Sequence, residues 1–487
     1  MKSIVLCFSL MLAFFVVQAQ AQVTLTEVSS DPFTVGPGQH ATEVEPHTFA
    51  NGSTVVSAFQ TGRIIPGGST DIGWATSTDG GTTWTHGFLP GVTKGEGSGP
   101  YDAASDPAVA FDPKHNVWMI ATLPVSSTQT PAVIVSRSTD GGMTWQNPVN
   151  VDAMASSSDK NWIVCDGSPK SKYYGNCYVE WDNPAAGDQI LMSTSTDGGL
   201  TWGSPKATAN HAFGIGGQPL VQPDGRVIVP IETSGISVFG SINGGQSWTK
   251  TYSVAGIQSH TDAGGIRSGP LPSAAVDGAG NVYVVWEDCR FRTNCSTNDL
   301  VYSVSADGLH WGAVTRIPID PTNSTVDHFI PGIGIDPATS GANAHIAVHY
   351  YYYPQSKCSQ STCQLYVGFI SSGNGGKTWN TAITLAGPMS LNWLPNSQNG
   401  LMVGDYIGTA FSQSTPHAVF AVASAKSGTK FNQPMFTALG LTAAEVGPQS
   451  SAAGDKPLHH ISDPVEFDKP EKGIHPPTRA AKRSAKK

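Results

Sequence analysis

Charge is scarce in this chain: acidic and basic residues make up 13% of its 487 positions. No stretch carries apolar side chains at helical spacing over three turns, which leaves strands as the regular element. After the first twenty residues no apolar run is long enough to cross a bilayer. No Cys-x-x-Cys occurs, so the common thiolate metal and redox motifs are excluded. Neither a Gly-x-Ser-x-Gly elbow nor a His-Glu-x-x-His pair is present, and serine-hydrolase and zinc-protease readings fall away. The stretch ending Gly376-Lys377-Thr378 imitates a phosphate-binding loop, but Ser371 stands where that spacing needs glycine.

The charge that exists is unevenly spread. Lys2 and five basic side chains in the last nine residues account for six of 27 cations. The remaining 21 face 36 acids, so the body is strongly acidic. Such a body repels nucleic acid, though a local basic pocket can still hold a single carboxylate. Residues 1–21 read as an export signal, with Lys2, an apolar run from Ile4 to Val17, and Ala19-Gln20-Ala21 as a cleavage site. The expected product is secreted, with no membrane span. Beyond Cys7, six cysteines remain, and their short gaps favour the pairs Cys165–Cys177, Cys289–Cys295 and Cys358–Cys363 over metal binding. No metal and no cofactor is expected.

What the chain does have is a repeat. Ser77–Trp84 reads STDGGTTW, and related octets span Ser138–Trp145, Ser195–Trp202, Ser241–Trp248 and Ser372–Trp379. A shortened copy, SADGLHW, spans Ser305–Trp311. The Asp or Asn caps its own turn, the paired glycines supply positive φ, and the Trp buries an apolar face. Repetition at this period means an array of one supersecondary unit. The octets resemble the Asp-box, or BNR, repeat of sialidase-like β-propellers. That resemblance implies an all-β propeller.

First strands begin near Glu45, Asp106, Asp159, Gln218, Pro272, Ile330 and Asp405, each followed by a turn and a second strand. This predicts seven four-stranded blades over residues 22–447, with Val23–Val28 as the outer strand of the seventh, paired with PMFTALGL; six blades is the alternative. Residues 448–487, poor in large apolar groups, are expected to be a disordered basic tail whose loss leaves stability unchanged.

Strand direction sorts the loops. Residues before first strands and after second strands meet on one face, and the boxes lie on the other. The first face collects Glu45, His47, Asp106, Asp159, Lys160, Asp327, His328, Asp405, Tyr406, Arg63, Glu180, Asp182, Glu232, Glu287, Asp288, Arg290 and Tyr351. Carboxylates with Arg and aromatic neighbours suit sugar chemistry. The expected catalytic set is Tyr406, Asp106, Asp159, Glu232 and Asp405. Arg63, Arg290, Trp286 and His328 are expected to bind substrate, with Trp162 and Trp181 as further stacking faces. The family resemblance implies that Tyr406 is a nucleophile, that Arg63 matches an arginine after the first blade's second strand, and that Arg290 matches one of an arginine triad. The chain departs from the family at Val44-Glu45-Pro46, where Arg-Ile-Pro is expected. Glu287, Asp288 and Arg290 also read as a local ion pair holding the Cys289 loop. The resulting expectation is a glycoside hydrolase acting on a glycan; the alternatives are a non-catalytic glycan- or protein-binding propeller and a polysaccharide lyase.

Overall fold

A computed structural model describes residues 23–95, 98–127, 129–153 and 157–458. The expected signal segment and the end of the tail lie outside these residues. The described chain is all-β and is built of four-stranded antiparallel sheets. In chain order the first strands of seven such units are Gln39–Asn51, Ala103–Asp112, Asp159–Cys165, Leu220–Val221, Ser273–Val276, Asp327–Ile335 and Thr409–Ser412. A bridge between Ser69 and Ala104 joins the first two units into one sheet. In the last unit Leu25–Glu27 pairs with Met435–Ala438, with Leu25 opposite Ala438. The expected pairing of the N-terminal strand with PMFTALGL is therefore present.

The boxes behave as their residues dictate. In the first, Asp79 Oδ1 accepts from the amides of Thr82 and Thr83 at 3.1 and 2.9 Å. Ser77 Oγ accepts from Gly81 N at 2.9 Å, and Trp84 Nε1 donates to Gly81 O at 2.9 Å. The second glycine has a further constraint besides its positive φ. A Cβ at Gly142 would lie 2.9 Å from Val56 Cγ2, and one at Gly376 would lie 2.7 Å from Tyr302 Oη. Each box thus abuts the preceding sheet, and the first box abuts His417 of the seventh.

Burial follows the same interfaces. One apolar cluster joins Val56 and Ile72 of the first sheet to Val109 and Trp118 of the second. Others join the second to the third, the third to the fourth, the fourth to the fifth and the fifth to the sixth. The last gathers Leu365 and Val367 of the sixth with Val419 and Phe420 of the seventh and Phe59 of the first. Among the described residues there is no single central core. Its apolar residues fill the gaps between sheets, which is why each strand reads as nearly continuous β-branched and aromatic runs. The three disulfides are those expected: Cys165–Cys177, Cys289–Cys295 and Cys358–Cys363.

The expected tail boundary needs correction. Gln449–Ser450 pairs with Trp379–Asn380. Asp455 Oδ2 accepts from Arg316 Nε at 2.9 Å, and Leu458 N donates to Arg290 O at 2.7 Å. Upstream, Thr442 and Ala444 carbonyls accept from Ser371 Oγ and Asn380 Nδ2, each at 2.9 Å. Backbone pairing and one ion pair order residues 449–458, which composition alone did not register. Ending the chain after Pro448 should therefore lower Tm by about 2–4 °C relative to ending it after Leu458, as read by calorimetry.

Candidate functional site

Four first strands carry a bulge at the same place. The register shifts between Val44 and His47, between Ser105 and Ala108, between Asp159 and Trp162, and between Phe329 and Gly332. At each shift one non-glycine residue sits in the left-handed region: Glu45 (φ 55°), Asp106 (51°), Lys160 (49°) and Ile330 (51°). Such a conformation costs on the order of 1–3 kcal/mol and re-aims a side chain. In three of the four strands the re-aimed residue is charged, and the three charges meet.

The meeting point is Asp405. Arg267 Nε donates to Asp405 Oδ1 at 2.6 Å and Arg267 Nη2 to Oδ2, a bidentate pair. Lys160 Nζ pairs with the same Oδ2 and lies 3.4 Å from Glu45 Oε1. Glu45 also accepts from Gln60 Nε2 and, at 3.4 Å, from the Asp405 amide. The Lys160 amide donates to both Asp106 Oδ2 and Asp159 Oδ1, each at 3.0 Å, which places those two carboxyls side by side. Tyr406 packs edge-on to Trp162 at 5.0 Å between centroids, and its hydroxyl donates to Pro107 O at 3.2 Å. Arg63 is held by neutral acceptors, among them Gly68 O and Met402 Sδ.

Burial and charge pull these groups apart in acidity. Burial pushes Glu45 up to about 8, against the pull of Lys160. Burial, then Asp106, pushes Asp159 up to about 6. Burial acts on Asp106 too, but Lys160 and Ser105 hold it below the usual carboxylate range. Burial would also raise Asp405, yet Arg267 and Lys160 hold it far below that range. The Tyr406 phenol is pushed well above its ordinary value by burial and by the carboxylates around it. The cavity beside Tyr406, lined by Lys160, Asn161, Trp162 and Gln218 among others, measures about 10 Å³, room for one water.

Of the expected set, Asp106, Asp159, Asp405, Tyr406 and Arg63 converge here. Glu232 does not; it ends the fourth unit's second strand, where burial pushes it up to about 7. Arg290 is engaged by Asp288, with Nε 2.9 Å from Oδ1, and by Gly256 O. It holds the Cys289 loop, the local ion pair that sequence also suggested. Trp286 and Trp181 are fully buried and Trp162 is 8% exposed, so none offers a face for stacking. His328 is 1% exposed and bonds Asn298 O through Nδ1 at 3.1 Å. Its ring lies within 4.8 Å of Asp299 and Asp320 oxygens, but Arg292 and Arg316 already match those two carboxylates.

Sequence reasoning passed over Arg267. It sits in an irregular Gly- and Ser-rich loop with no strand to fix its direction. The available signal was its isolation: it is the one cation between Lys250 and Arg290. A second acidic group joins Asp327, collected on the same face by strand direction, to Asp262, which sequence reasoning also passed over. Asp262 and Asp327 are bridged by Asn298, whose amide donates to Asp327 Oδ1 at 2.6 Å and whose Nδ2 donates to Asp262 Oδ1 at 3.3 Å. His260 Nε2 lies 3.5 Å from Asp327 Oδ2.

No family model matches the sequence. A sialidase of Bacteroides fragilis (strain YCH46) is 30% identical over 111 residues, 19% of this chain and 20% of that protein. The likeness is to sialidases. The match spans about a fifth of that relative's length. Among solved structures, a protein of unknown function from Dyadobacter fermentans DSM 18053 superposes with a TM-score of 0.45 at 16% identity, over 71% of this chain and 98% of that one. The NanB sialidase of Streptococcus pneumoniae gives 0.42 at 14%, over 86% and 71%. YCF48 bound to D1 peptide gives 0.45 at 12%, over 87% and 96%.

Two outcomes follow. Arg267→Met leaves Asp405 with Lys160 alone, and should cost about 3–5 kcal/mol of unfolding free energy in urea titrations. The second concerns pH. Glu43 and Glu45 are raised to about 8 and Glu232 to about 7. The folded protein therefore keeps protons that the unfolded chain releases above its ordinary glutamate value. The stability they contribute is present below that value and is lost as pH rises through 7 to 8. The buried His47, His349 and His417 are lowered to about 3, 3 and 4, and cost stability only as pH falls below the ordinary histidine value. In EDTA-containing buffer, Tm should thus fall by about 3–5 °C between about pH 6.5 and about pH 8.5.

Proposed function

We propose that this chain is an exported, seven-bladed, sialidase-like propeller that binds glycan without hydrolysing it. The blade count draws on the seven four-stranded units and on their first strands, each beside the next, with Thr409–Ser412 beside Gln39–Asn51. Export draws on the signal-like start and on the three disulfides. The non-catalytic reading rests on one observation: the groups at the centre partner one another. Asp405 is taken by Arg267 and Lys160, and Tyr406 by Pro107 O. A tyrosine nucleophile needs a base within hydrogen-bond reach, and this phenol instead donates to a carbonyl while burial raises its pKa. The matched stretch of the Bacteroides sialidase supports glycan as the ligand class.

A second reading, glycoside hydrolysis, is favoured by Asp106 and Asp159. Adjacent carboxyls whose acidities are driven apart are the usual arrangement of an acid and its ionised partner. A lyase needs a His or Tyr base, such as His328 or Tyr406, near a uronate held by Arg290; this reading is less favoured because His328 is buried, the Tyr406 hydroxyl donates to Pro107 O and Arg290 is engaged by Asp288.

A glycan array followed by incubation with its hits separates these. The expected result is saturable binding, no released sugar, no unsaturated ultraviolet-absorbing product, and unchanged binding by Tyr406→Phe. Sugar release that Tyr406→Phe abolishes would restore the tyrosine mechanism. Release that survives in that variant but is lost in Asp159→Asn would establish the carboxylate reading.

A further inference from the structure

Between the third and fourth sheets the protein buries more oxygen than it partners. Glu180 and Asp182 stand two residues apart on one face of Cys177–Asn183, and both are 0% exposed. None of their four carboxylate oxygens has a hydrogen-bond partner. Across the ladder Asp182 faces Asp159 and Glu180 faces Trp162. The bulge between those two pairs carries Asn161, which is 1% exposed and lines the small cavity beside Tyr406. Both polar atoms of the Asn161 amide are also unpartnered. The Glu180 carboxylate lies against the strand entering the fourth sheet at Gly217, where a Cβ would come within 2.6 Å of either oxygen.

Ordinary partners do not serve these atoms. Lys160, the ammonium that acts on Asp182, is committed to Asp405 and Glu45. The other charges acting on Asp182 are Asp159, Glu180 and Asp188, all of its own sign. An ionised carboxylate buried without a counter-charge costs several kcal/mol. Two such groups, with an unpartnered amide in the bulge of the strand paired with theirs, make a hard-oxygen donor set with no sulfur or imidazole, which suits calcium and not zinc. The unpartnered Asn161 is a separate observation from the acidity: it is neutral, and its oxygen is a normal calcium ligand.

We propose that Glu180 and Asp182, with the Asn161 side-chain oxygen, bind a calcium ion that ties the third sheet to the strand entering the fourth. Binding to the folded state alone would add stability in proportion to the logarithm of free calcium.

The probe is the metal itself, on the full chain. Terbium should show luminescence sensitised by Trp162 and Trp181, displaced by calcium at one ion per chain. Tm at about pH 7.5 should be several degrees higher in about 2 mM calcium chloride than in EDTA. The shift should vanish in the Glu180→Gln, Asp182→Asn double variant and persist in Asp262→Asn, which alters a buried carboxyl elsewhere. If the double variant does not fold, Asn161→Ala, which removes no charge, should weaken calcium binding about tenfold in equilibrium dialysis. Equal Tm in calcium and EDTA with no terbium signal overturns the site, as does a calcium shift that survives in the double variant or calcium affinity unchanged in Asn161→Ala. The first of these would mean that the two carboxyls are simply protonated.

Discussion

The arrangement at the centre depends on one carboxylate shared by two cations. Asp405 comes from the entry to the seventh sheet, Lys160 from the third, and Arg267 from the loop before the fifth. Three stretches far apart in sequence are thus fixed to a common point by charge. The cost of burying these ions is offset only because each finds the others in good geometry. The left-handed residues Glu45, Asp106 and Lys160 belong to the same constraint. Each accepts backbone strain in order to turn a charged side chain out of the pleat and toward Asp405 or its neighbours.

That constraint shapes the functional reading. Sialidase-like sites need arginines free to take a carboxylate and a hydroxyl free to attack. Here Arg267 is already answered by Asp405, Arg290 by Asp288, and the Tyr406 hydroxyl by a carbonyl. On the proposed reading these three groups, which suggest catalysis in the sequence, act in space as partners of their neighbours. Whether a group is a tool or a strut depends on what faces it, and facing is a tertiary property.

Much of the fold was nonetheless legible. The boxes were readable because their bonds are local, with Asp79 capping amides three and four residues on. The disulfides were readable from spacing, since five to twelve residues is a hairpin's reach. Asp106, Asp159, Asp405, Tyr406 and Arg63 could be brought together by strand direction alone. Arg267 could not, because an irregular loop carries no periodicity to say where its side chain goes. Glu232, Trp286 and His328 were misplaced for a related reason. Lying at the right end of a strand does not say which side of the pleat meets the centre and which meets the next sheet. The strap at 449–458 was missed because its order comes from pairing with Trp379–Asn380, not from apolar residues of its own.

Five of the six boxes seat a second glycine on a neighbouring sheet, and the shortened copy seats its single Gly308 on Ile228. Among the described residues, the contact of the seventh sheet with the sixth has no such latch. It is made by the apolar cluster the two sheets share, by Thr409 Oγ1 to the Gly332 carbonyl at 2.8 Å, by Tyr351 Oη to the Ala421 carbonyl at 3.0 Å, and by residues 442–450 laid along the sixth sheet. Leu25–Glu27 likewise waits for Met435–Ala438. During synthesis the first six sheets can dock one upon another as they emerge, while the earliest strand stays an open edge until nearly the whole chain exists. The order of assembly is therefore written into the spacing of the boxes.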